Sequence, residues 1–184
     1  MAQIPRVLSI AGTDPTGGAG VQADLKAIAA AGGYGMSVTT ALVAQNTQGV
    51  REIHTPPQSF LRAQLDAVFD DVDVDAVKIG MLGDAETTQT VADYLAAHPV
   101  PVVVVDPVMV ATSGDRLLSA DAEEALRQLV ANHATVVTPN IPELALLTDE
   151  PEPDSFDAAV ELGQRYAREA DVQVLVKGGH LSGE

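Results

Sequence analysis

Three polar clusters follow directly on apolar, β-branched runs: Asp106-Pro107, Asn140-Ile141-Pro142-Glu143 and Lys177-Gly178-Gly179-His180. Behind Val102–Val105, a carboxylate at Asp106 is desolvated on one side and needs a cation or a hydrogen-bond donor. If the runs are neighbouring strands, Asp106 and Glu143 can hold Mg2+, directly or through water. Magnesium takes one or two carboxylates and completes its shell with water and substrate phosphates. Taken alone, Glu143 also suits a helix N-terminus, whose dipole favours negative charge. Lys177 is one of only three lysines, with Lys26 and Lys78, and two glycines follow it. That combination suits a phosphate contact.

A second candidate lies near the N-terminus. Gly12-Thr13-Asp14-Pro15-Thr16-Gly17-Gly18-Ala19-Gly20 follows an apolar run and opens a helical pattern. Glycines permit tight turns and close backbone approach, and open helix N–H groups favour an anion. The loop is neither a dinucleotide fingerprint nor a Walker loop, which ends in Gly-Lys-Ser/Thr. Asp24 stands one helical turn beyond it; on its own it reads as a surface charge. Gln45 ends a run expected to be buried, so both faces of its amide need partners. It can read the edge of a heterocycle or tie two loops together, and the sequence leaves both open.

Six runs must position these groups: Val7–Ile10, Ser37–Val43, Ala76–Ile79, Val102–Val105, Thr135–Thr138 and Val172–Val176. Helical periodicity separates most of them, over Gly20–Ala31, Pro57–Asp70, Asp84–His98, Ser119–Asn132, Pro142–Thr148 and Asp154–Ala170. Asp84, Ser119 and either Asp154 or Ser155 are the expected N-caps. Such alternation predicts one α/β domain over residues 1–184: three layers, with a mostly parallel central sheet flanked by helices. All six polar endings then fall on the carboxyl edge, where open α/β sheets bind ligands. Segment 47–56 breaks the alternation and is expected to form a flap near the site. Asp70-Asp71-x-Asp73-x-Asp75 lacks the glycine and terminal glutamate of a calcium loop and reads as a solvated turn.

Composition narrows the function. With 184 residues one core suffices, and aromatics at 3% leave it to Ala, Val, Leu and Ile. There is no cysteine, hence no disulfide, thiolate metal site or cysteine nucleophile in this sequence. A formal charge of −16 disfavours nucleic acid, which needs clustered Lys and Arg. No signal peptide and no membrane-length apolar run is seen, so a cytoplasmic enzyme is expected, with no membrane partner. His54, His98 and His133 are expected in solvent, and His180 has no specific role.

These segments together resemble the hydroxymethylpyrimidine/phosphomethylpyrimidine kinases of thiamine biosynthesis. The resemblance is carried by Ala11–Lys26, Thr40–Thr47, Lys78–Leu82, Asp106–Met109, Thr138–Glu143 and Val176–His180, in order along nearly the whole chain. It implies a ribokinase-like fold, a homodimer and ATP-Mg2+-dependent phosphorylation of the pyrimidine hydroxymethyl group and then of the monophosphate. By the same resemblance Gln45 hydrogen-bonds the aminopyrimidine. Asp24, Met81 and Val108 line its pocket, with Gly18 and Ala19 nearby. Asp106 and Glu143 organise the metal, while Asn140 and Lys177 contact the nucleotide phosphates. Related members phosphorylate pyridoxal or pyridoxine.

The family continues into a Gly-Thr-Gly-Cys-type segment that supplies the anion hole and the catalytic-base position, and this sequence stops before it. A C-terminally incomplete domain is therefore expected, with no catalytic residue assigned within it. Weak pyrimidine binding and poor turnover should follow, since phosphoryl transfer relies on positioning and charge stabilisation. A pyridoxal kinase and a non-catalytic pyrimidine-binding module are the competing readings.

Overall fold

The computed structural model of the chain describes residues 4–109 and 118–178. Strand β1 (Arg6–Ala11) leads through α1 (Gly20–Ala30) to β2 (Tyr34–Thr39). A hairpin of β3 (Leu42–Asn46) and β4 (Gly49–His54) follows. Alternation then resumes with α2 (Gln58–Phe69), β5 (Ala76–Ile79), α3 (Ala85–Ala97), β6 (Val102–Val105) and α4 (Ala120–His133). The described part closes with β7 (Val136–Val137), α5 (Ile141–Thr148), α6 (Phe156–Glu169) and β8 (Gln173–Val174).

Six strands form one parallel sheet in the order β2-β1-β5-β6-β7-β8. Register puts Ile10, Ile79, Val105 and Val137 in one row on one face. That face packs against Leu61 and Leu65 of α2, Val91 and Leu95 of α3, and Leu126 and Leu129 of α4. The opposite face carries Val7, Ser9 and Lys78, and α1 covers it at β1 and β2, with Leu25 and Ile28 closing over Gly35. Helices thus lie on both faces, as strand–helix alternation requires.

Beyond β5, β6, β7 and β8, backbone hydrogen bonds carry the ladder onto the polar exits. Gly80 N–H reaches Ile10 O at 2.9 Å, Asp106 N–H reaches Ile79 O at 2.8 Å, Thr138 N–H reaches Val105 O at 2.9 Å and Lys177 N–H reaches Pro139 O at 2.8 Å. The chemistry-bearing residues are therefore held by the sheet itself.

The expected strand Ser37–Val43 is corrected. It divides at Thr40-Ala41: β2 ends in the sheet, and the rest leaves as the antiparallel hairpin β3–β4. The glycine loop enforces the break, since Thr13 N–H bonds Ala41 O at 2.9 Å and Val43 N–H bonds Thr13 Oγ1 at 2.9 Å. Gln64 of α2 bonds both Thr39 N–H and Thr39 O, at 3.0 and 3.1 Å, giving the strand end the partners that a neighbouring strand would supply. Gln45-Asn46 therefore ends a hairpin strand. The flap expected over 47–56 is the turn and second strand of this hairpin.

Asp84 caps α3, accepting Thr87 N–H at 2.7 Å, and Ser155 caps α6. Ser119 stands at the N-cap position of α4 but makes no side-chain capping bond. The acidic turn is more than solvated, because Asp75 holds Arg6 through Nε at 3.0 Å and Nη2 at 3.1 Å, pinning β1 beside β5. One histidine departs from expectation: burial pushes the half-buried His133 ring down in pKa. His98 is exposed as expected, and its ring stacks on Tyr94 with centroids 4.3 Å apart. His180 lies outside the described residues.

Candidate active site

At the carboxyl edge a cavity of about 500 Å³ opens between the sheet and the hairpin. The glycine loop and α1 contribute Thr13, Ala19 and Asp24; the strand exits contribute Met81, Asp106 and Val108. From the hairpin come Val43, Gln45, Val50 and Ile53, and from β5 comes Lys78. Of the residues singled out by sequence, Asp24, Ala19, Gln45, Met81, Val108 and Asp106 meet here. Gly18, Asn140, Glu143 and Lys177 are not on the cavity wall.

Instead of serving as an open anion cradle, the glycine loop satisfies its own N–H groups. Asp14 Oδ2 accepts Gly18 N–H at 2.9 Å and Ala19 N–H at 2.8 Å, and Oδ1 accepts Thr16 N–H at 2.9 Å and Thr16 Oγ1 at 2.8 Å. Burial acts to raise the Asp14 pKa, but the donors outweigh it and hold the carboxyl down to about 2. Asp14 thus fills the place at the start of α1 where an external anion was expected. Its spacing to Thr16 is that of an Asx turn, a signal present in the sequence and passed over. Gly20 has φ +57°, and a Cβ there would lie 2.4 Å from Gly12 O, so only glycine lets the loop enter α1 this closely.

Beside the cavity, Lys177 Nζ is 2.7 Å from Asp106 Oδ1 and 3.6 Å from Glu143 Oε2. Strand β8 and the bridge between Asn140 and Lys177 place the lysine across from Asp106. Glu143 is buried at the start of α5 in a capping box: Oε2 accepts Asn140 N–H at 2.8 Å, and Asn140 Oδ1 accepts Glu143 N–H at 2.8 Å. Desolvation pushes the Glu143 carboxyl up in pKa, opposed by the Asn140 N–H and by Lys177. Both readings of Glu143, helix-terminus partner and neighbour of Asp106, therefore hold together.

Among the described residues no cluster of three or more acidic or histidine side chains forms a metal cage. Asp106 with Glu143 is instead a two-carboxylate set, which fits a magnesium ion that draws its other ligands from water and phosphate. The chain's three lysines all engage here: Lys177 on Asp106, Lys78 on Asp24 at 3.0 Å, and Lys26 on the Gly17 carbonyl. Sequence alone gives Lys78 no role, because its partner Asp24 lies 54 residues away.

Parallel order, crossover helices and a polar site at the carboxyl edge define an open α/β fold, which the solved kinase structures it superposes on place as ribokinase-like. A sequence profile of the family described as phosphomethylpyrimidine kinase matches residues 14–184. The chain belongs to the phosphomethylpyrimidine kinase family. It is 65% identical over 179 residues to the thiamine biosynthesis multifunctional protein ThiED of Corynebacterium glutamicum, covering 97% of this chain and 23% of that protein. It is 48% identical over 177 residues to the hydroxymethylpyrimidine/phosphomethylpyrimidine kinase of Escherichia coli, covering 96% and 66%. The crystal structure of phosphomethylpyrimidine kinase from Clostridium difficile 630 superposes with a TM-score of 0.89 at 41% identity, covering 98% of this chain and 78% of that one. The chain thus spans about a quarter of the multifunctional relative and just under two thirds of the E. coli kinase. Among the described residues no helix is long and apolar enough to cross a membrane.

Proposed function

We propose that the chain acts in ATP-dependent phosphorylation of 4-amino-5-hydroxymethyl-2-methylpyrimidine and of its monophosphate, yielding the diphosphate used to make thiamine phosphate. The observation that carries this reading is a cavity in which the ring-reading groups Gln45 and Asp24 adjoin Asp106, itself tied to Lys177. Kinase names among the relatives support it, as does the thiamine-biosynthesis name of the multifunctional one.

In this mechanism Gln45 and Asp24 meet the donors and acceptors of the aminopyrimidine edge, while Met81 and Val108 hold its faces. Ala19 backs the ring, and Gly18 acts through the loop behind it. The hairpin, through Val50 and Ile53, excludes water from the ring. Asp106 and Glu143 would hold Mg2+, which when bound neutralises charge on the transferring phosphoryl group. Asn140 and Lys177 stand on the nucleotide side; the Lys177 ammonium can leave Asp106 for a phosphate oxygen. On the family resemblance we read the protein as a cytoplasmic homodimer, which light scattering and cell fractionation test.

The direct experiment measures binding of the hydroxymethylpyrimidine and of pyridoxal by calorimetry, with ADP release from Mg-ATP followed in parallel. Selective binding of the pyrimidine is expected. Preference for pyridoxal would overturn the substrate, and binding of neither would overturn the reading.

A further inference from the structure

The cavity wall holds two carboxylates, Asp24 and Asp106, and each is matched to its own lysine. For Asp106 the match lies outside the wall, on Lys177. For Asp24 it lies on the wall itself. Lys78 projects from β5 on the face that α1 covers, in register with Ser9 on β1. Its Nζ is 3.0 Å from Asp24 Oδ2, and Ser9 Oγ donates to the same oxygen at 2.7 Å. Ser9 is fully buried, and the side chains of Asp24 and Lys78 keep 17% and 25% of their exposure, so solvent screens the pair only in part.

Among the described residues both hydrogen bonds to Asp24 fall on Oδ2, which leaves Oδ1 for a ligand. Gly80 keeps this arrangement open: a Cβ there would lie 3.0 Å from Lys78 Nζ.

We propose that Lys78 is a positioning and specificity residue that makes the cavity select a neutral ring over a cationic one. This rests on the aminopyrimidine reading given above. Alone, Asp24 would be a half-buried carboxylate and would favour a cationic heterocycle. With Lys78 beside it that end of the cavity has no net charge, and the ammonium repels a second cation. Ser9 and Lys78 also fix the carboxylate plane, so Oδ1 accepts from a neutral N–H without having to reorient. The discrimination comes from a repulsive group as well as an attractive one.

The test compares two ligands at one pH: the neutral hydroxymethylpyrimidine and its analogue methylated on a ring nitrogen, a permanent pyrimidinium cation. The added methyl is the same for every variant, so a change in the affinity ratio between variants reports charge. Lys78→Met should lower the neutral-to-cation ratio by about tenfold or more, since it leaves a desolvated carboxylate without its partner. Lys78→Arg should keep the ratio within about threefold, because the charge remains. Lys78→Gln, which retains a donor but no charge, should follow Lys78→Met and serves if that variant fails to fold. A parallel loss of both ligands, as expected if Lys78 only holds α1 on the sheet, would overturn the proposal, as would an unchanged ratio. If the native chain binds neither ligand, the aminopyrimidine reading itself falls, which is a separate result.

Discussion

Lys177 Nζ stands 2.7 Å from Asp106 Oδ1, although 71 residues separate them in the chain. The sheet makes this contact by running β6, β7 and β8 side by side and extending the ladder to Lys177 through Pro139. A lysine that was expected to meet phosphate therefore rests on a carboxylate that was expected to meet metal. Exchange of that ion pair for phosphate and Mg2+ is a consistent way for nucleotide to enter.

Lys177→Met should test this directly. Phosphoryl transfer is expected to fall by about a hundredfold or more, in line with loss of a charge-stabilising donor. Pyrimidine affinity should change little, because Lys177 lies outside the cavity wall. Turnover and calorimetric binding on the same preparation check both parts, and an equal loss in the two would place Lys177 in the ring pocket instead.

Asp14 gives a pH dependence with a definite sign. Its folded carboxyl is held down to about 2 against an ordinary value of 3.8. A depressed acid contributes stability that is present above its unfolded pKa and lost as pH falls through its folded pKa. Asp14→Asn should therefore lower the melting temperature at neutral pH. The gap from the native chain should narrow between about pH 4 and about pH 2. A gap that stays constant over that range would mean that the carboxylate charge is not what orders the loop.

Gln45 lines the cavity from the hairpin, where its amide can meet the ring edge. Gln45→Leu should weaken pyrimidine binding by about 10- to 100-fold, the range expected when a buried polar partner is left unmatched. Titration calorimetry measures this, and unchanged affinity would reduce Gln45 to a loop tie.

Gly20→Ala should destabilise the fold by about 1–3 kcal/mol, because it adds a side chain at positive φ. The new methyl would also lie 2.4 Å from the Gly12 carbonyl, a backbone atom that cannot swing away. Denaturant unfolding reads the loss. A neutral result would mean that the loop entering α1 adjusts freely.

Gln64 is predicted to matter although it is far from the chemistry. Gln64→Leu removes both partners of the Thr39 peptide, at about 1–3 kcal/mol for groups left unpaired. Since β2 ends there, the hairpin should loosen as well. Faster amide exchange across Leu42–Asn46 should accompany lower stability, and stability loss alone would separate the strand end from the hairpin.

Much of this protein was legible in its residues. Valine-rich runs closed by glycine, asparagine or aspartate specified strands and their exits, and 3.6-residue periodicity specified the helices between them. Local chemistry also placed one cap at Asp84 and narrowed another to Asp154 or Ser155, and the polar endings marked the carboxyl edge before any contact was known. These features are short-range, so sequence alone determines them.

Tertiary structure decided the rest, because its partners are distant in sequence. The division of Ser37–Val43 depends on Thr13, not on any residue within the run. Ser119 holds the N-cap position without making the capping bond. The loop that offered N–H groups to an anion turned out to satisfy them with its own Asp14. Asp24, a surface charge by local spacing, became a cavity group only when β5 carried Lys78 to it, 54 residues along the chain. A side chain's type and spacing fix what it can bond, while the folded sheet fixes which bond it makes, since burial penalises every charge that packing leaves without a partner.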